Sequence, residues 1–295
     1  MILNFTSFEK QRLDDFLRKN LPGAVDEPNV SNSKIRRLIV AGAVSVNKAQ
    51  VRRPAFELRG ISHIEVNYEK EKFLFEKQPD DVKFELSEKN ILFEDEFIIC
   101  VDKPALFPTE ETLAGGEKRD SLHAAVVRYL WKKNPGLRNP PYAGIMHRLD
   151  RETSGVILFT KQRSVNKEIQ RMFAEHDFIK NYLALCTDDT GKLRPGKEFS
   201  VEMFMNRISP KSHAAKWGSV SESSGGLYSR TDFCVLKEVF YGDKKFFLVQ
   251  ANLFTGRTHQ IRVHLSCSGF PILGDVLYGG KPEKRVMLHS ARLEF

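Results

Sequence analysis

At 295 residues and 33.8 kDa the chain is long enough to bury a real core and sits near two domains, taking about 150 residues per domain as a guide. Hydrophobic residues at 41% against charged residues at 28% exclude a chain too polar to offset its ordering entropy. A net charge of +8 attracts polyanions, so nucleic acid is the first partner to consider, and no run of about 18 apolar residues is present to span a membrane.

From Arg12 onward, Leu13, Phe16 and Leu17 recur at the spacing of one helix face, and Pro22-Gly23 is expected to stop that helix. Ser33 is expected to cap a second helix over 33–41, with Ile35, Leu38 and Ile39 inward and Lys34, Arg36 and Arg37 in water. Short alternating runs at 44–47 and 61–68 read as strands of a small sheet. Positive charge concentrates in this region, at Lys34, Arg36, Arg37, Lys48, Arg52 and Arg53, a patch suited to gripping phosphates. Residues 69–90, charged and weakly periodic, read as a linker. The expected organisation is a domain over 1–75, a linker over 76–89 and a second domain over 90–295.

Beyond the linker, an apolar run at 97–101 ends at Asp102-Lys103-Pro104, and a helix is expected over 121–131. A Pro/Gly/Asn-rich loop over 134–142 precedes a buried strand at 155–160 and a helix at 164–175. Strands follow at 178–186, 199–206, 229–240 and 245–254, with the Ser/Gly stretch 219–226 read as a hairpin loop. So many strands in succession, with few helices between them, predict an α+β fold. The expected core is a mixed, largely antiparallel sheet with flanking helices, preceded by a small α+β domain.

Three segments carry chemistry. GIMHRLDRETSG at 144–155 places Asp150 in a charged turn between a Pro-rich loop and a buried strand, where active carboxylates often sit. A surface pairing of Asp150 with Arg148 or Arg151 is an equally open reading of that spacing. In LFTGRTHQIRVHL at 253–265, Thr258 is expected to cap a helix on which His259 and Arg262 share a face beside the inward Ile261, His264 and Leu265. An inward arginine needs a partner, because an unpaired buried charge costs several kcal/mol, and Asp150 would serve. KNYLA at 180–184 puts Tyr182 on a strand. The cysteines, with no C-x-x-C pair, predict neither a disulfide framework nor a zinc site.

HRLDRETSG, the KNYLA segment and GRTHQIRVHL followed by GFPILGDVLYG resemble, in order, the signature segments of the RluA family of pseudouridine synthases. EDEFIICVDKP and RVMLHSARLEF resemble the same family's flanking segments, so the likeness spans roughly 90–295. The first seventy residues are similar to the ribosomal-protein S-four-like RNA-binding domain that precedes many such enzymes.

The resemblance implies cofactor-independent isomerisation of uridine in RNA to pseudouridine, with Asp150 as the catalytic aspartate and Arg262 as its salt-bridge partner. Tyr182 matches the tyrosine that stacks on the target base. Arg148 matches the residue that fills the space a flipped base vacates, and Arg257 and His259 are placed at the RNA. The partner is expected to be ribosomal RNA first, with transfer RNA open, and the protein is expected to be a cytoplasmic monomer without cofactor or metal. The loop after Pro104, Ala105-Leu106-Phe107-Pro108-Thr109, departs from the family's usual Gly and Val-His-Pro turn. Two other readings stay in view. One is a non-catalytic RNA-binding or ribosome-assembly module; the other is a glycosidase-like hydrolase using Asp150 and Glu152, whose carboxylates would lie roughly 6 to 7 Å apart on an extended segment.

Overall fold

The computed structural model describes residues 2–25, 30–40, 42–68, 81–111, 113–114, 117–175, 177–209, 215–242 and 244–295. Two compact units emerge, Met1–Pro79 with Ala114–Glu117, and Asp80–Leu113 with Lys118–Phe295.

In the smaller unit the chain runs β1 (Ile2–Ser7), β2 (Gln11–Arg12), α1 (Leu13–Ala24), α2 (Asn32–Val40), β3 (Val44–Val46), β4 (Ala49–Val51), β5 (Glu57–Leu58) and β6 (Ser62–Asn67). The four-stranded sheet has the order β1-β6-β3-β4, and β2 pairs with β5. Asn47 and Lys48, both at positive φ, make the two-residue turn between β3 and β4, whose twist suits a hairpin. Leu13, Phe16, Leu17 and Leu21 of α1 and Ile35 and Ile39 of α2 close over Val44, Val46, Ile64 and Val66. Pro22 does not end α1 as expected; it lies inside the last turn. A proline there forfeits one backbone bond, which the burial of Leu21 and the Val25 N–H donating to the Leu21 carbonyl offset. The side chain of Ser33, the expected cap, lies outside the described residues.

The larger unit runs β7 (Ile91–Glu94), β8 (Ile98–Lys103), then, across β9 (Leu113–Ala114) and β10 (Glu117–Lys118), whose Ala114 and Glu117 count with the smaller unit, α3 (Leu122–Lys133), β11 (Gly144–Ile145), β12 (Ser154–Thr160), α4 (Asn166–Ala174), β13 (Ile179–Cys186), β14 (Glu198–Arg207), β15 (Trp217–Ser219), β16 (Leu227–Tyr241), β17 (Lys244–Leu253), α5 (Gln260–Cys267) and β18 (Leu288–Glu294). Its sheet has the order β15-β14-β16-β17-β13-β18-β12-β8-β7, with β11 on β12. The β12–β18 pair is parallel and the other described pairs are antiparallel, the mixed α+β arrangement expected.

Both faces of β8 over 98–101 and of β12 over 156–159 are apolar because each strand lies between two packed layers. Ile99, Val101, Ile157 and Phe159 share a core with Leu122, Val126 and Leu130 of α3, while Ile98, Cys100 and Leu158 pack with Ile169 of α4. Successive side chains thus enter opposite layers. The stretch 219–226 is not a hairpin loop: it carries the chain from β15 to β16, which both pair with β14 rather than with each other. Of the expected linker, 69–80 lies outside the described residues. Its remainder is held to the larger unit, Asp81 by Arg119 and Arg151, Val82 by the Leu106 carbonyl, and Leu86 by burial in the core.

Gly155 sits at φ 111° where β12 meets β18, and a Cβ there would lie 2.1 Å from the Ser290 carbonyl oxygen. Gly155→Ala is therefore expected to cost at least about 2 kcal/mol, through strained backbone and separation of two central strands. Chemical denaturation checks this; a loss below half that figure would mean the pair yields easily.

Candidate active site

Sheet register brings the predicted residues together. Tyr182 on β13 lies opposite Ala251 of β17 and Ser290 of β18, and Ser290 is in turn the parallel partner of Gly155 on β12. The turn entering β12, the start of β13, the end of β17 and the start of α5 therefore meet at one end of the sheet. They border a cleft of about 700 Å³ lined by Asp150, Tyr182, Arg148 and Arg257. A recess of about 80 Å³, which Asp150 and Tyr182 also line, extends to His259 and Arg262.

The turn that carries Asp150 is pinned from below. Its own bond runs from the Thr153 N–H to the Asp150 carbonyl. Thr109 Oγ1 accepts from the Leu149 N–H and donates to the Leu149 carbonyl, at 3.3 and 2.8 Å. Lys103, fully buried at the end of β8, donates from Nζ to the carbonyls of Pro104, Phe107 and Arg151, and the Phe107 N–H also reaches the Arg151 carbonyl. Burial pulls the Lys103 pKa down to about 7, against the upward pull of Glu152 and Asp150. Three carbonyl acceptors match the three hydrogens of its ammonium form. The divergent loop 105–109 thus braces the Asp150 turn. Neither Lys103 nor Thr109 is among the sequence-predicted site residues; the one signal is a lysine two residues beyond an apolar run, directly before Pro104.

Arg262 is 3% exposed, and its first partner is not Asp150. Nε and Nη2 donate to the two carboxylate oxygens of Asp275, itself 1% exposed, at 2.7 and 2.8 Å. The remaining Nη1 makes no hydrogen bond and stands 3.5 Å from both Asp150 Oδ2 and Glu152 Oε2. Asp150 keeps about a quarter of its side chain open to the cleft. One guanidinium thus faces three carboxylates. Burial works against its charge, but Asp275, Asp150 and Glu152 hold the Arg262 pKa above the ordinary arginine value. Burial likewise opposes the Glu152 charge, and Arg262 and Arg151 overcome it and hold that pKa below the usual range.

Tyr182 is buried, and its hydroxyl pKa is pushed up to about 12 by burial and by the charge of Asp150, against a hydrogen bond with Ser290 that lowers it. It stays protonated at any ordinary pH, a neutral donor with a ring wall toward the cleft.

Thr258 does not cap α5. The cap position is His259 in the left-handed region, φ 58°, with no side-chain capping bond, because Gln260 Oε1 folds back to accept from Thr255 Oγ1 and the Arg257 N–H. His259 therefore leaves the face it was expected to share with Arg262. Its Nδ1 lies 2.8 Å from Tyr278 Oη and its Nε2 3.9 Å from Asp150 Oδ2. His264, by contrast, is inward as expected and fully buried. Ser229 Oγ spends its hydrogen on the Met203 carbonyl, so it accepts from His264 Nε2–H, and burial lowers the His264 pKa to about 4.

A neutral His264 sets a pH dependence. Between pH 6.5 and 4 the unfolded chain binds a proton there that the folded chain refuses, so stability falls as pH falls through that window. His264→Leu is expected to gain about 2 kcal/mol relative to wild type on going from pH 7 to 4.5. Equal pH profiles for the two proteins would contradict this.

Arg148 and Arg257 lie at the mouth. Arg148 is largely exposed with Nη1 3.5 Å from Glu110 Oε2, and Arg257 is exposed with Nε donating to the Tyr228 carbonyl. Lys34, Arg36, Lys48, Arg52 and Arg53 belong to the smaller unit. Lys48, Arg52 and Arg53 are exposed there and Arg36 is paired with Asp14. The side chain of Arg37 lies outside the described residues. Among the described residues no helix is long and apolar enough to cross a membrane.

Set against solved structures, the mixed sheet that holds this cleft is a fold seen before. Human RNA Pseudouridylate Synthase Domain Containing 1 aligns over 71% of this chain and 80% of its own, with TM-score 0.54 and 24% identity. The family model described as RNA pseudouridylate synthase matches residues 97–267. An uncharacterized RNA pseudouridine synthase of Mycoplasma pneumoniae is 32% identical over 99% of this chain and 86% of its own length. Ribosomal large subunit pseudouridine synthase C of Pasteurella multocida is 32% identical over 96% of this chain and 79% of its own. The chain belongs to the RNA pseudouridylate synthase family, and it is an RNA pseudouridine synthase, an isomerase.

Proposed function

We propose that the protein converts uridine in large-subunit ribosomal RNA to pseudouridine with Asp150 as catalytic carboxylate, Tyr182 against the target base and Arg262 as the ion-pair partner of Asp150. The observation that carries the reading is Asp150 Oδ2 at 3.5 Å from a buried guanidinium, in the cleft that Tyr182 lines. In the reaction the C1′–N1 bond breaks, C1′ rejoins the base at C5, and the proton on C5 leaves while N1 gains one. A paired base leaves its stack to reach Asp150 at a cost of a few kcal/mol, which phosphate contacts and stacking offset. In this reading Arg148 and Arg257, exposed at the mouth, supply such contacts. The smaller unit, an S-four-like RNA-binding domain over about 1–75 in this reading, adds sequence-independent affinity through Lys34, Arg36, Arg37, Lys48, Arg52 and Arg53. The choice of ribosomal RNA rests on relatives named ribosomal large subunit pseudouridine synthases C and D. A monomer in the cytoplasm completes the reading.

The test is release of tritium from RNA labelled at uracil C5, with large-subunit ribosomal RNA and transfer RNA as parallel substrates. Release from the ribosomal RNA at a rate well above that from transfer RNA supports the proposal. Release from transfer RNA alone overturns the substrate assignment, and none from either overturns the role given to Asp150.

A further inference from the structure

His259 stands in an uncommon backbone conformation for a residue with a side chain, φ 58° and ψ 19° at the start of α5. That region disfavours such residues by about 1–2 kcal/mol and persists where the surroundings hold it. What holds this ring is Tyr278, edge-on to it, the ring planes 89° apart and the hydroxyl 2.8 Å from Nδ1.

The hydroxyl's hydrogen can be placed. Tyr278 Oη accepts from the Trp217 N–H at 2.9 Å, and among the described residues the one acceptor within reach of its own hydrogen is His259 Nδ1. A phenol has one hydrogen to give. Spending it on Nδ1 leaves the imidazole proton on Nε2, the nitrogen 3.9 Å from Asp150 Oδ2. Burial lowers the His259 pKa, in keeping with a neutral ring at pH 7.

We infer that the Trp217–Tyr278–His259 chain fixes the Nε2–H tautomer of His259 and makes it a positioning residue for Asp150, setting the carboxylate's rotation with a neutral donor beside the charge of Arg262. The 3.9 Å gap closes to a hydrogen bond by about 1 Å of movement, of the kind that catalytic contacts make when substrate fills a site. The inference extends the reaction assigned to Asp150. It also separates His259 from the RNA-contacting arginines at the mouth: its ring is committed to Tyr278 on one side and Asp150 on the other.

Two-bond nitrogen–proton correlations of the histidine rings in the full-length wild-type protein at neutral pH read the tautomer without any turnover. The expected result is Nε2–H for His259; Nδ1–H overturns the inference whether or not the protein isomerises uridine. Tyr278→Phe keeps the ring over which Arg262 stacks, 5.1 Å away, and removes only the hydroxyl. It is expected to lower kcat about tenfold with KM changed less than about twofold, and to produce mixed tautomers. His259→Gln, whose amide N–H reaches the Nε2 position, is expected to retain several times the kcat of His259→Leu. Equal kcat in those two, or a Tyr278→Phe protein with wild-type kcat, overturns the positioning role. Absence of activity in wild type together with an Nε2–H ring would instead strike the reaction assignment alone.

Discussion

Asp150→Asn is expected to lower the rate of C5 tritium release at least about a hundredfold, the scale on which a positioned acid or base acts, while leaving RNA affinity within a few-fold. The amide fills the same space, so the cleft keeps its shape. Arg262 is not orphaned, because both of its short bonds go to Asp275 and its contact to Asp150 is the longer one at 3.5 Å. Folding stability is therefore expected to change by less than about 1 kcal/mol, as for other partly exposed pairs. Full rate in the variant would remove Asp150 from the chemistry; collapse of the fold would mean that the ion pair with Arg262 is structural.

The second large effect is on stability. Asp275→Ala is expected to cost about 3–5 kcal/mol, because it strands a buried guanidinium that had two charge-assisted bonds. At about 2–4 °C per kcal/mol for a unit of this size, the unfolding midpoint drops by roughly 6–20 °C. Asp150 and Glu152 compensate only in part, since they stand 3.5 Å from Nη1 and on the cleft side. The pairing makes a stricter claim for the cycle: Arg262→Met combined with Asp275→Leu is expected to be more stable than Asp275→Ala, because a buried pair removed whole leaves no unpaired charge. A single Asp275 variant melting with wild type would contradict the bidentate geometry.

How far these residues were legible differs case by case. Asp150, Tyr182 and Arg262 stood out because chemistry-bearing types recurred in family order, and sheet register then joins them. Asp275 did not, although it lies only 13 residues beyond Arg262: GFPILGDVLYG reads locally as a glycine-rich loop, and nothing in spacing says which carboxylate a buried arginine will choose. Thr258 is a good cap by type, and a helix starting there puts His259 on the Arg262 face. Gln260 outcompeted it by bonding the preceding loop, which moved the helix start by one residue and turned the ring. Lys103 follows the apolar run 97–101 and Asp102, a position where a charged residue reads as the strand's end rather than a buried brace.

Among the elements, β8 and β12 are legible as buried strands from their apolar runs, while their pairing and the connection from β15 to β16 are not. A Ser/Gly-rich stretch specifies a turn, but which strands flank it in space depends on β14 inserting between them. Ile2–Ser7 shows the alternation of an edge strand, and its complete ladder with Ser62–Asn67 depends on a partner sixty residues away.

The central claim is that the Asp150 cleft detaches uracil from ribose and returns it through carbon. The most direct test is to treat substrate RNA with the protein, digest it to nucleosides and separate them by chromatography with mass detection. The account predicts a new nucleoside of unchanged mass in place of uridine, with no free uracil. Free uracil and an abasic ribose would contradict it and make the Asp150–Glu152 pair a hydrolase.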